Sequence, residues 1–130
     1  MDPPPFGAPA ALRVLLLVGH SAHREQLLAL IWRLAPASRI DTASSALDVM
    51  RRLTRAGADL LILDYAVDRV AGLSLIRHLA RTAPSLSVLA FDDVVRSLPE
   101  PRFDVWLWSE AEMALQRSIK QHLQRGAQRP

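Results

Sequence analysis

The eight residues ADLLILDY, 58–65, constrain this chain more than any other stretch. A short, continuous apolar run is expected of a strand covered on both faces, as in a parallel sheet. Two further runs have the same character: RVLLLV at 13–18 and LSVLAF at 86–91. DVWLW at 104–108 is a shorter candidate strand, and SRIDTAS at 38–44 a poorer one.

Helical patterns fill the gaps. SAHREQLLALIWRL sets Leu27, Leu28, Ile31 and Leu34 on one stripe, with Ser21 as N-cap and Pro36 as terminator. SALDVMRRLTRAG repeats the spacing through Leu47, Met50 and Leu53, with Ser44 or Ser45 capping and Gly57 stopping. GLSLIRHLARTAP turns Leu73, Ile76 and Leu79 inward. SEAEMALQRSIKQHLQ opens with a capping box, Ser109 with Glu112, and carries Leu115, Ile119 and Leu123 as its stripe. Strands alternating with helices imply βαβ units with right-handed crossovers. Five such strands predict an α/β, flavodoxin-like, doubly wound parallel sheet in the order 2-1-3-4-5. Between strands four and five lies only DDVVRSLPEPRF, interrupted by Pro99 and Pro101, so the fourth helix should be shortened or missing.

At 130 residues the chain is the size of one domain. The expected division is a flexible tail over 1–11, a folded domain over 12–125 with Gly126 as the last helix stop, and a frayed end over 126–130. There is no cysteine, which excludes disulfides and thiolate chemistry. The opening residues lack a basic n-region and a long apolar stretch, and no run approaches the roughly 18 residues of a membrane span, so a cytoplasmic protein is expected. Formal charge is +3, from 16 basic and 13 acidic residues, and Lys120 is the sole lysine. The arginines are dispersed along the helices; even the densest group, Arg51, Arg52 and Arg55, reads as a solvated helix face. No nucleic-acid surface is predicted.

In a doubly wound sheet, ligands bind at the carboxyl ends of the strands beside the order reversal. The residues placed there are Gly19, His20 and Ser21 after strand one and Asp64 after strand three, then Asp92 and Trp108. Gly19-His20-Ser21 could cradle phosphate or form an ordinary turn capped by Ser21; a lone glycine favours the turn. His20 with Asp64 and Asp92 could hold a transition metal, or an imidazolium–carboxylate pair could seal the pocket, and the pair is expected. His23 stands too far along the helix to contribute. Trp106 and Trp108 share one side of strand five, with Val105 and Leu107 on the other, and fit either core filling or a partner surface. His78 and His122 read as surface residues.

The segment ADLLILDYAVDRVAGLSLIRHL resembles the centre of a response-regulator receiver domain, and the rhythm extends over Arg13 to about Leu123. The resemblance implies that Asp64 holds the phospho-acceptor position and Gly72 the loop-glycine position. It also implies an acidic pair for Mg²⁺ at the end of strand one, where Gly19 and His20 stand, with Ser21 where a third acid is common. A Ser or Thr is implied where Asp92 stands and a Lys where Trp108 stands. The phosphorylation-responsive aromatic is matched by Val105. A hard divalent cation takes carboxylate oxygens, which Gly and His do not supply. The resemblance therefore implies an atypical, pseudo-receiver type: a non-enzymatic module that signals by protein contact, without cofactor or metal and without conventional phosphorylation of Asp64. Its expected partners are a histidine kinase, another regulator, or a second copy joined through strand five and the last helix. A phospho-accepting regulator using Asp64, and a small-ligand or nucleotide binder at the Gly19 loop, are the alternatives.

Overall fold

The computed structural model describes residues 12–65, 69–94 and 105–128. Five strands, β1 (Arg13–Leu17), β2 (Arg39–Thr42), β3 (Leu60–Asp64), β4 (Ser87–Asp92) and β5 (Val105–Leu107), form one parallel sheet in the order β2-β1-β3-β4-β5. The helices are α1 (Ser21–Leu34), α2 (Ala46–Ala56), α3 (Arg69–Thr82) and α4 (Ala111–Gln128). This is the flavodoxin-like order expected from the rhythm of the sequence. Residues 1–11 and 95–104, to which the flexible tail and the stunted fourth helix were assigned, lie outside the described residues.

Alternation along the strands builds two cores, one on each face. Val14, Leu16, Leu60, Ile62, Leu89 and Phe91 pack with Leu27 and Ile31 of α1 and with Ala114, Leu115 and Ile119 of α4. Leu15, Leu61, Leu63, Val88 and Ala90 pack with Val49 of α2 and with Leu75, Ile76 and Leu79 of α3. All five residues of β3 are buried, which explains why its sequence is apolar without interruption. Each large aliphatic side chain buried this way contributes about 1.5–3 kcal/mol.

Several local expectations are corrected. His20, not Ser21, caps α1: its backbone is extended and its Nδ1 accepts the Ala22 N–H at 3.2 Å. An imidazole nitrogen reaches the second helical N–H much as an Asx oxygen does. In α2 the inward face is Ala46, Val49 and Leu53, while Leu47 is 58 % exposed and Met50 also lies outside. Polar ties set that rotation. Ser45 Oγ accepts the Asp48 N–H, the Asp48 carboxylate accepts the Ser44 N–H, and Arg52 pairs with Asp48. Asp48 and Arg52 thus take the solvent side, one position round from Val49 and Leu53. Gly57 does end α2, with φ of 71°, a conformation that glycine adopts without a Cβ penalty.

At the last helix the correction has a single source. Trp108 does not continue β5; it begins a 3-10 turn, Trp108–Glu110, that leads into α4. Glu110 Oε1 accepts the Leu107 N–H at 3.0 Å, so the carboxylate that reaches back belongs to Glu110. Glu112, the expected partner of Ser109, pairs with Arg33 of α1 instead. Leu123 is partly exposed while Leu115 and Ile119 are buried, and α4 runs on through Gly126.

Candidate functional site

The carboxyl ends of β1, β3, β4 and β5 meet at one edge of the sheet. Asp64 is the last residue of β3 and is 6 % exposed. Its Cα partner on β4 is Phe91, so Asp92 lies one residue beyond the level of Asp64; Asp92 is fully buried, and its Oδ1 accepts the Asp93 N–H at 2.7 Å. Gly19 and His20 form the exposed turn from β1 into α1.

The central feature is a row of four rings. Phe91 stacks on Trp108 at 4.8 Å between centroids, Trp108 stacks on His23 at 3.9 Å and 14°, and His23 meets His20 at 4.9 Å. The row leads from the core to solvent: Phe91 is fully buried, Trp108 is 7 % exposed, His23 is half-buried and His20 is exposed. Each ring pair contributes about 0.5–1.5 kcal/mol beyond its buried area. Two polar atoms within the row, Trp108 Nε1 and His23 Nδ1, are buried with no hydrogen-bond partner among the described residues. An apolar stack is thus retained although each orphaned atom costs about 1–3 kcal/mol.

Phe91 is a residue that sequence reasoning missed, and His23, set aside there as too far along the helix, takes a central place in the row. A usable signal was present, since His23 is three residues after His20 and so shares its helix face. The expected His20–carboxylate pair is not formed: the Nδ1 of His20 is engaged at the helix cap, and no ion pair joins His20 to Asp64 or Asp92 among the described residues. Nor do three His, Asp or Glu side chains among the described residues group closely enough to hold a metal ion.

Next to Asp64 in the chain, Tyr65 is buried against Gly72 in the first turns of α3. A Cβ at Gly72 would lie 3.2 Å from the tyrosine ring, so the glycine gives that ring its place. Val105 and Trp106 are half-buried on β5, facing opposite cores.

No protein-family model and no curated protein matches the chain. Solved structures do. A two-component transcriptional regulator AraC from Clostridium phytofermentans aligns at a TM-score of 0.71 and 23 % identity over 91 % of this chain and 100 % of its own. A response regulator receiver domain protein from Clostridium thermocellum aligns at 0.69 and 17 % identity over 88 % of this chain and 95 % of its own. A CheY-like receiver domain from Methylobacillus flagellatus aligns at 0.65 and 19 % identity over 84 % of this chain and 99 % of its own. The chain has the fold of a response-regulator receiver domain.

Proposed function

We propose that this receiver-fold chain is a signal-transduction module of the pseudo-receiver type. It acts through protein–protein contacts without conventional phosphorylation of Asp64, and it is not an enzyme. The observation that carries this reading is the Phe91–Trp108–His23–His20 row, which includes Trp108 and His20 at the positions where the resemblance implies a lysine and one of an acidic pair. Phosphoryl transfer depends on positive charge placed at the transferring group's oxygens. The residues here do not fit a Mg²⁺ site: Gly19 offers no side-chain donor, and His20 offers a softer nitrogen that is already bound to the helix cap. No step is therefore routed through a metal.

A neutral indole in place of a lysine turns a switch position into packing. The partners that suit such a module are other signalling proteins, a histidine kinase or another regulator among them, or a second copy using β5 and the first turns of α4. Met113, 53 % exposed at the start of α4, gives that surface an apolar point. None of the described helices is long and apolar enough to cross a membrane, in keeping with a cytoplasmic role.

Two-dimensional NMR with beryllofluoride and Mg²⁺ tests the reading. No localised shift is expected; a saturable shift centred on Asp64 overturns it. The rival, a working phospho-acceptor, is favoured by the place of Asp64 at the carboxyl end of β3. It requires an acid-labile phosphoryl label that disappears in Asp64→Ala.

A further inference from the structure

The opposite end of the sheet carries a second, unassigned feature. β2 reads Arg39-Ile40-Asp41-Thr42, and its register sets Arg39 beside Arg13, Ile40 beside Val14 and Asp41 beside Leu15. Val14 and Ile40 belong to the α1/α4 core, and Leu15 to the α2/α3 core. Strand alternation therefore puts both charged residues, Arg39 and Asp41, on the face that α2 covers. A charged pair where an apolar pair would close the edge leaves a cavity of about 560 Å³ between β2, the start of β1 and the end of α2. That volume is within the usual range for small-ligand sites, roughly 300–1,000 Å³.

Its lining includes four arginines, Arg13, Arg39, Arg52 and Arg55, and one aspartate, Asp41. Two of the four are fixed in place. Arg13 donates to the Ala56 carbonyl at 2.9 Å and pairs with Asp59, and its Nη1 would lie 3.3 Å from a Cβ at Gly57. Arg52 pairs with Asp48. The guanidinium groups of Arg39 and Arg55 have no ion-pair or hydrogen-bond partner among the described residues. Two guanidinium groups without a carboxylate partner among the described residues, set beside one hollow, present planar forks that match phosphate oxygens.

We propose that this cavity binds a small phosphate-bearing anion, with Arg39 and Arg55 as its direct ligands. Arg13 and Arg52, held by Asp59 and Asp48, border the site as neutralised pairs, and Asp41 opposes binding. The site is distinct from the Asp64 edge, so it survives or fails independently of the signalling role proposed above.

Titration of the full chain with inorganic pyrophosphate at low ionic strength, followed by two-dimensional NMR, tests the site. A saturable shift at the amides of 39–41 and 56–58 is expected, weakening as salt is added. Arg39→Gln/Arg55→Gln should weaken binding at least tenfold, and Arg51→Gln, outside the cavity, should leave it unchanged. Asp41→Asn should tighten it several-fold, an effect that a misfolded variant cannot produce. ADP binding tighter than pyrophosphate assigns a further contact to the nucleoside; equal affinity assigns the site to the phosphate groups alone. No saturable shift, or equal weakening by Arg51→Gln and the double variant, overturns the proposal.

Discussion

The indole of Trp108 lies flat on the imidazole of His23, centroids 3.9 Å apart, and each ring buries a nitrogen that has no partner among the described residues. This contact joins α1 to the 3-10 turn that leads into α4, beside the carboxyl ends of the strands.

Trp108→Ala removes the middle ring and should destabilise the fold by about 3–5 kcal/mol, read from urea unfolding. His23→Phe keeps a stacking ring and deletes one orphaned nitrogen, so stability should rise by about 1 kcal/mol. If His23→Phe instead lowers stability by as much as Trp108→Ala, the imidazole has a polar role that the stack does not account for.

The rotation of α2 is open to a paired measurement. Val49→Ala opens space in the α2/α3 core and should cost about 1–3 kcal/mol, since Val49 is fully buried. Leu47→Ala, on the exposed side, should stay within about 0.5 kcal/mol of the parent. The reverse order would restore the Leu47–Met50–Leu53 face.

Asp48 gives α2 a dependence on acid. The Ser44 N–H, then the Arg52 side chain, hold its carboxyl below the ordinary value of 3.8. A depressed folded value means that the charged form stabilises the fold above 3.8, and that this contribution is lost as pH falls through the folded value. Asp48→Asn keeps an acceptor for the Ser44 N–H and removes the charge. Its Tm should lie below the parent's at pH 7, and the gap should close in acid below 3.8. A gap that persists unchanged at low pH would assign the effect to packing.

Gly57→Ala forces a Cβ into a backbone with φ of 71° and to within 3.3 Å of the Arg13 guanidinium. A loss of about 1–3 kcal/mol is expected from the conformation alone. Ligand titration of the same variant, with the Arg13 side chain displaced, should also show weaker pyrophosphate binding.

Much of this protein was legible in its sequence because strand burial and turn chemistry are local. ADLLILDY had to be a central strand, Gly57 had to end a helix, and the five-strand order followed from alternation and handedness. Asp64 at a strand end, and the lack of carboxylates at Gly19 and His20, were equally readable. What only the tertiary structure decided was which side chains meet. Leu47 and Val49 have similar hydrophobicity, so helical spacing could not choose between two stripes that share Leu53; the Ser44–Asp48–Arg52 ties did. His23 has no meaning until Trp108, 85 positions along the chain, turns inward beside it. The arginines of β1, β2 and α2 read as a solvated scatter until strand register gathers them around one hollow. Periodicity is a property of neighbours along the chain, whereas stacking and charge clustering belong to neighbours in space.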